Sequence, residues 1–174
     1  ASPVIGFIGL GLMGGNMVEN LPKKNLEPIV MDLSKEAVAA VVARGASEAA
    51  SAAELAAQCD IIMLCLTTST VVEKVVYGED GLLAGIKEGA VVIDFGTSIP
   101  ASTRKIGADL AAKGAGMVDA ALGRTPTHAI DGLLNIMAAG DQETFDKVKP
   151  ILDMQGENIF YMGALGAGHT TKLI

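Results

Sequence analysis

Three glycines near the start of the sequence are the first residues whose spacing points to chemistry. Gly9, Gly11 and Gly14 read G-x-G-x-x-G and directly follow the apolar run of residues 3–8. A helical pattern of apolar residues comes next, and this order of strand, turn and helix is the context in which the motif binds a dinucleotide. We expect Gly9 to allow the sharp turn, Gly11 to admit a pyrophosphate and Gly14 to let the helix pack closely on the strand. The diphosphate would accept hydrogen bonds from the free amides at the positive end of that helix.

Asp32 is the second residue with a chemical interpretation. It ends the next apolar run, residues 27–32, at the distance beyond Gly14 where a dinucleotide fold places its ribose-binding acid. A carboxylate there accepts hydrogen bonds from the ribose hydroxyls and repels a 2′-phosphate, which favours NAD over NADP as the cofactor. Asp32 could instead be a turn residue or cap the next helix, since Ser34 follows. Its spacing from the glycine motif favours the ribose contact.

The elements that must hold these residues alternate in a regular way. Short apolar runs are separated by stretches of helical periodicity, some of them opened by a capping residue such as Ser34 or Ser51. This alternation predicts an α/β protein of Rossmann type, with a doubly wound, largely parallel sheet and helices on both faces. The sequence predicts polar loops over 77–81 and 121–131, and a helix over 142–154. The predicted strands are residues 3–8, 27–32, 46–47, 60–66, 90–94, 116–120, 133–139 and 158–161.

The composition is that of a globular protein. The chain has 174 residues, of which 50% are hydrophobic and 19% charged, enough for one domain with a sizeable core. A net charge of −7 and only 3% aromatic residues argue against a nucleic-acid partner, which needs a basic surface and stacking side chains. No apolar run reaches the roughly 20 residues that span a bilayer, and the first residues lack the basic start of a signal peptide. We therefore expect a cytoplasmic protein without membrane or nucleic-acid partners.

Two cysteines, Cys59 and Cys65, match no metal-ligand or redox spacing. Free cysteine is among the residue types most often buried, so we expect both to be buried, reduced thiols. The sequence accordingly predicts no metal site. So few cysteines also suit a reducing compartment.

Three segments resemble the β-hydroxyacid dehydrogenase family. They are residues 6–14, residues 93–97 followed by Pro100, and Gly166-Ala167-Gly168 ahead of Lys172, and their order and spacing cover essentially the whole chain. The resemblance implies that residues 1–163 form the NAD-binding domain and that residues 164–174 begin the helix leading to an all-helical C-terminal domain, which is absent from this sequence. It also implies that the full-length protein is a homodimer or homotetramer assembled through that domain.

The resemblance also assigns roles to single residues. Lys172 would be the general acid that protonates the developing alkoxide, and the base in the reverse direction. Most lysines at such a position are surface residues, but its place after the glycine-rich segment favours catalysis. The remaining cofactor contacts implied by the resemblance are Leu12 and Met13 by the pyrophosphate, Leu66 at the adenosine side of the cleft and Thr97 near the nicotinamide ribose.

The expected substrate loop departs from the usual pattern of the family. Where most members carry Ser-Gly-Gly, this sequence has Gly123, Arg124 and Thr125, a version that resembles the loop of the family's sulfolactaldehyde reductases. A guanidinium fork and a hydroxyl suit the three oxygens of a sulfonate better than a lone serine does, although the fork also fits a carboxylate. Arg124 could also be a solvated loop residue. We expect His128 to be a loop residue and His169 to be structural, and neither to be catalytic.

These expectations converge on the NADH-dependent reduction of a short 3-oxo acid semialdehyde to its hydroxy acid. The loop favours 3-sulfolactaldehyde as the substrate, giving 2,3-dihydroxypropane-1-sulfonate, over tartronate semialdehyde or the semialdehyde that yields 3-hydroxyisobutyrate. A non-catalytic NAD-binding module is the alternative of another class. Such a module needs the glycine turn and Asp32, but neither Lys172 nor residues 123–125.

Overall fold

The computed structural model describes the backbone of residues 2–173. Ala1 and Ile174, the outer ends of the two predicted segments 1–163 and 164–174, lie outside the described residues. The strands are β1 (Ile5–Ile8), β2 (Ile29–Met31), β3 (Ser47–Glu48), β4 (Ile61–Leu64), β5 (Val91–Asp94), β6 (Gly116–Gly123), β7 (Leu134–Ala139) and β8 (Gly156–Tyr161). The helices are α1 (Leu12–Val18), α2 (Lys35–Val42), α3 (Ala52–Gln58), α4 (Ser69–Tyr77), α5 (Leu82–Gly85), α6 (Pro100–Ala112), α7 (Pro126–Ile130), α8 (Gln142–Gln155) and α9 (Ala167–Leu173), with a short 3₁₀ turn at Pro22–Lys24.

The strands form one sheet in the order β3-β2-β1-β4-β5-β6-β7-β8. All neighbouring pairs are parallel except β6 and β7, which run antiparallel. The strand order reverses between β1 and β4, and such a switch point is where open α/β sheets bind ligands, at the carboxyl ends of the strands. The predicted doubly wound, largely parallel sheet is therefore confirmed.

Alternate residues of the central strands enter two separate cores. On β4, Met63 packs into the core beneath α1, α2 and α8, whereas Ile62 and Leu64 pack into the core beneath α3, α4 and α6. The strands are buried on both faces, which explains why their sequences are apolar throughout rather than alternating. The two cores confirm the expectation of helices on both faces of the sheet.

Local sequence accounts for where several helices begin. Ser34 accepts a hydrogen bond from the Ala37 amide at the start of α2, and Ser51 accepts one from Glu54 at the start of α3. Each bond satisfies an amide that the first turn of a helix leaves without a partner. Both predicted caps are thus present.

The predicted loops were partly wrong. Residues 121–131 do not form a loop, because Leu122 and Gly123 continue β6 by pairing with Ile136 and Asn135 on β7. A proline at the first helical position then starts α7 over much of the remainder. In the other predicted loop, Tyr77 belongs to α4, and the single helical turn α5 that follows this loop was not predicted.

Within residues 2–173, none of the helices combines the length and the apolar character that crossing a bilayer requires.

Candidate active site

The glycine turn lies between β1 and α1 and is held tightly by its surroundings. Gly9 has a φ of +101°, and a Cβ at this position would lie 2.2 Å from the carbonyl oxygen of Cys65 on the neighbouring connection. A Cβ at Gly14 would lie 2.0 Å from the Gly9 carbonyl oxygen. No side chain fits at either position unless the backbone moves. The two glycines therefore do what the spacing predicts: one permits the turn and the other the close packing of the helix.

Gly11 differs from these two glycines. A Cβ there would meet nothing within 4 Å, so the position faces open space rather than a packed neighbour. It precedes α1, whose first-turn amides have no intrahelical acceptor. Open space beside free amides is the shape that a phosphate-binding turn requires.

Asp32 follows β2 and is bound to the backbone through both carboxylate oxygens. Its Oδ2 accepts a hydrogen bond from the Leu10 amide at 2.6 Å, and its Oδ1 accepts one from the Ser34 amide at 2.7 Å. The carboxylate thus connects the end of β2 to the glycine turn. Asp32 therefore has the role of a turn residue, which was the alternative to the ribose contact. Each oxygen retains a further lone pair for a ligand hydroxyl.

Two cavities lie along the carboxyl edge of the sheet, and Leu66 lines both of them. The first has a volume of about 370 Å³ and the second about 500 Å³, within the range of small-molecule sites. Asp32 and Gly9 line the second cavity. The predicted site residues around the first cavity are Gly11, Leu12, Met13, Gly14, Leu66, Thr97, Arg124 and Lys172.

Lys172 reaches the first cavity from α9. Its Nζ donates a hydrogen bond to the carbonyl oxygen of Leu122, 2.8 Å away. This places a primary amine beside Thr97 and the glycine turn, which come from other parts of the chain. The cavity can therefore hold a bound molecule next to a group able to give or take a proton.

The guanidinium group of Arg124 forms a hydrogen bond and an ion pair within the protein. Its Nη1 donates to the carbonyl oxygen of Leu133 at 2.8 Å and pairs with the carboxylate of Glu157 on β8. The residue has a φ of +76°, an uncommon conformation for a side chain larger than glycine. Both contacts use Nη1, so an anion in the first cavity, which Arg124 lines, would compete with Glu157 for this nitrogen of the guanidinium.

The structure brings only part of the predicted substrate triplet to this cavity. Within the described part of the chain, Gly123 and Thr125 are not among the residues lining it. Gly123 pairs with Asn135 at the end of β6. The hydroxyl of Thr125 lies 2.8 Å from Nδ1 of His128 and helps to open α7, so His128 lies in a helix rather than in the expected loop.

Cys59 is buried as expected, whereas Cys65, which also lines the first cavity, is only half-buried. Burial raises the pKa of the Cys65 thiol to about 12, with a further rise from the negative charge of Asp94. Burial likewise raises the pKa of Cys59 to about 12. The nucleophilic species of cysteine is the thiolate, so both residues are inert thiols at physiological pH.

A buried polar cluster behind the cavities was not foreseen from the sequence. Asp94, Asp119 and His169 are each at most 1% exposed. Asp94 and Asp119 are register partners on β5 and β6, and His169 packs against them from α9. Burial raises the pKa of Asp94, while the nearby His169 acts in the opposite direction. The available signal was an aspartate in each of two otherwise apolar strands, where a charge needs a partner.

Comparison with known proteins places the chain in a family. Residues 4–163 match the family described as the NAD binding domain of 6-phosphogluconate dehydrogenase. The chain belongs to this family. It is an NAD-binding domain, as the glycine turn and the sheet order predict.

Full-length relatives fit the same picture. The 3-sulfolactaldehyde reductase of Escherichia coli is 39% identical over 98% of this chain and 57% of its own length. The NAD-dependent L-serine dehydrogenase of Pseudomonas aeruginosa is 40% identical over 97% of this chain and 57% of its own length. A crystal structure of 3-hydroxyisobutyrate dehydrogenase from Salmonella typhimurium has a TM-score of 0.93 at 30% identity, covering 99% of this chain and 60% of that one. The chain thus spans little more than half the length of these relatives, and the predicted resemblance to the β-hydroxyacid dehydrogenases is confirmed.

Proposed function

We propose that the full-length protein is an NAD-dependent dehydrogenase that reduces a short anionic semialdehyde to the corresponding hydroxy acid. The observation that carries this proposal is the position of Lys172, whose side chain lines the same cavity as Gly11 and Thr97. A module that only binds NAD needs the glycine turn and Asp32, but has no use for an amine in the cofactor cleft. The amine favours an enzyme over a binding module.

The residues of the cleft fit NAD. The pyrophosphate is assigned to Gly9, Gly11 and Gly14 with the adjoining Leu12 and Met13, because the turn offers open space and free amides. The adenosine half is assigned to the second cavity, where Asp32 can accept hydrogen bonds from ribose hydroxyls and repel a 2′-phosphate. Leu66 joins the two cavities, and the nicotinamide ribose is assigned to the side of Thr97.

Lys172 supplies the proton in the proposed reaction. When bound, the reduced nicotinamide provides the hydride that adds to the aldehyde carbon. The Nζ of Lys172 donates a proton to the carbonyl oxygen as negative charge develops there, and the product is a primary alcohol. In the reverse direction the neutral amine accepts the same proton. The carbonyl of Leu122 orients the amine, and solvent can replace the proton because Lys172 is exposed.

The anionic tail of the substrate is assigned to Arg124, with Gly123 and Thr125 shaping the loop on either side. We favour a sulfonate, as in 3-sulfolactaldehyde, because the guanidinium fork of Arg124 offers several N–H donors for its three oxygens. The 39% identity to the Escherichia coli 3-sulfolactaldehyde reductase is compatible with this choice, and the 40% identity to the Pseudomonas aeruginosa L-serine dehydrogenase is equally compatible with a carboxylate. Carboxylate semialdehydes are the alternatives, since the fork fits them too. Binding of either anion at Nη1 requires Arg124 to exchange Glu157 for the substrate.

Turnover by the full-length protein tests the proposal. NADH oxidation is measured with 3-sulfolactaldehyde, tartronate semialdehyde and methylmalonate semialdehyde, and NAD reduction with L-serine. We expect the highest kcat/KM for 3-sulfolactaldehyde. A higher value for a carboxylate substrate would overturn the sulfonate and keep the dehydrogenase. NADH binding without turnover of any of the four would instead favour the non-catalytic module.

A further inference from the structure

The buried cluster of Asp94, Asp119 and His169 connects two parts of the proposed active site. Among the described residues that line the two cavities, none belongs to this cluster. Any effect of these side chains on a reaction must therefore pass through the residues they hold.

One end of the cluster fixes the helix that carries Lys172. Asp119 Oδ1 accepts a hydrogen bond from the Gly166 amide at 2.7 Å, and its Oδ2 accepts one from the His169 amide at 2.8 Å. A Cβ at Gly168 would lie 2.7 Å from the carbonyl oxygens of both Asp119 and Met137, so the first turn of α9 lies directly on β6 and β7. The carboxylate of Asp119 thus caps α9 and sets its position on the sheet.

The other end fixes the loop that carries Thr97. Asp94 Oδ1 accepts a hydrogen bond from the Gly96 amide at 2.8 Å, and its Oδ2 accepts one from the Ser98 hydroxyl at 3.0 Å. The two bonds bracket Thr97, which lines the first cavity. Asp94 therefore sets the shape of this loop from behind.

His169 joins the two ends. Its Nε2 lies 3.1 Å from the Asp94 carbonyl oxygen, which can only accept, so this nitrogen carries a hydrogen. Its Nδ1 lies 2.7 Å from the hydroxyl of Thr103 on α6. In a neutral ring, Nδ1 accepts a hydrogen bond from the Thr103 hydroxyl. In a charged ring, Nδ1 donates to the Thr103 oxygen instead, and the hydroxyl can then donate to the Ile99 carbonyl oxygen, 3.3 Å away. Every polar atom is satisfied in either protonation state.

We propose that His169 is a positioning residue, which holds the Thr97 loop and the Lys172 helix at a fixed separation through Asp94, Asp119 and Thr103. The inference rests on the proposed function, because it concerns the distance between a bound cofactor and the proton donor. Lys172 follows His169 by nearly one helical turn, so a tilt of α9 at His169 moves the amine across the cavity. A displacement of about 1 Å at such a site can cost about 100-fold in rate.

Two substitutions of His169 in the full-length protein separate the hydrogen bonds from the volume of the side chain. In His169→Gln, the amide can donate to the Asp94 carbonyl and accept from Thr103, as neutral histidine does. In His169→Leu, the volume remains but neither bond can form. We expect kcat to fall about 10- to 100-fold in the leucine variant and to stay near the wild-type value in the glutamine variant. The KM for the semialdehyde should change little in both.

The deuterium isotope effect on kcat, measured with NADH labelled at the transferred position, distinguishes positioning from loss of folded protein. A misplaced proton donor makes the chemical step slower and raises the isotope effect, whereas a smaller folded fraction lowers kcat and leaves it unchanged. Ile106→Ala is the matched control, since it removes buried volume from α6 and isoleucine has no polar side-chain atom that could take part in the hydrogen bonds of the cluster. Thr103→Val deletes one hydrogen-bond partner of His169 and should shift the isotope effect in the same direction as His169→Leu. This variant replaces His169→Leu in the test if the leucine variant fails to fold.

Equal losses in the glutamine and leucine variants, or an isotope effect that stays at the wild-type value, would overturn the positioning role. Absence of turnover in the wild-type protein would refute the proposed function, and the positioning role with it. A wild-type enzyme that loses activity in Lys172→Ala but not in His169→Leu or Thr103→Val would refute the positioning role alone.

Discussion

Lys172 on α9 donates a hydrogen bond from Nζ to the carbonyl oxygen of Leu122 on β6, at 2.8 Å. Leu122 is the residue before Gly123, so the amine is fixed beside the loop to which we assign the substrate anion. A backbone carbonyl only accepts hydrogen bonds, so this contact orients the amine without removing its proton. The bond thus prepares Lys172 for the transfer we propose.

Replacing Lys172 by Ala should remove the proton donor and leave the cofactor cleft intact. We expect kcat to fall by about 10²- to 10⁴-fold, the usual contribution of general acid–base catalysis, while the Kd for NADH stays near its wild-type value. Steady-state turnover and fluorescence titration with NADH measure the two quantities. Lys172→Arg is the matched control, because it keeps the positive charge but holds its proton too tightly to transfer it. An active arginine variant would show that charge, rather than proton transfer, is what the reaction needs.

Replacing Asp32 by Ala should relax the choice between the two nicotinamide cofactors. The carboxylate faces the second cavity, and its charge would repel the 2′-phosphate of NADPH. We expect the ratio of kcat/KM for NADPH to that for NADH to rise at least about tenfold, equivalent to about 1.4 kcal/mol. Asp32→Asn is the control, since it removes the charge and keeps one acceptor for the Leu10 and Ser34 amides. An unchanged ratio in both variants would remove the ribose role from Asp32.

The features that the sequence predicts correctly are those that depend on neighbouring residues. The sequence predicts β1, β4 and β5 correctly, because a strand buried on both faces must be apolar along its whole length. The turn at Gly9 is also predicted correctly, because only glycine tolerates both its φ and the nearby carbonyl oxygen of Cys65. The largely parallel, doubly wound character of the sheet then follows from the alternation of strands and helices.

The features that the sequence does not predict depend on contacts between distant segments. The end of β6 is set by the pairing of Leu122 with Ile136, and the guanidinium of Arg124 finds a partner in Glu157 far along the chain. No local pattern marks either event. The contact of His169 with Asp94 joins a helix to a strand more than seventy residues earlier, which only the fold brings together.

Replacing Glu157 by Gln should strengthen the binding of an anionic substrate. The side chains of Arg124 and Glu157 are 30% and 52% exposed, and a pair at this depth is worth about 0.2–1 kcal/mol. Releasing Arg124 from this competitor should therefore lower the KM for 3-sulfolactaldehyde by up to about fivefold. The KM for glyceraldehyde, an uncharged aldehyde, should not change.

Glu157→Asp retains the competing charge and serves as the control. A higher KM for the anion in the glutamine variant would mean that Glu157 holds Arg124 in its binding position.

Replacing Asp94 by Asn should change how the stability of the domain depends on pH. Burial raises the pKa of Asp94 above its ordinary value of 3.8. The unfolded chain therefore releases this proton at a lower pH than the folded one does. The contribution of Asp94 to stability is fully present below pH of about 4 and is lost as the pH rises through the folded-state pKa.

Asparagine cannot ionise, yet it keeps an acceptor for the Gly96 amide and a donor for Ser98. We expect the free energy of unfolding of the wild type minus that of the variant to decrease as the pH rises above about 4. Urea unfolding of both proteins at a series of pH values measures this difference. If the difference increases over the same interval, the attraction of His169 for the ionised carboxylate outweighs the cost of burying it.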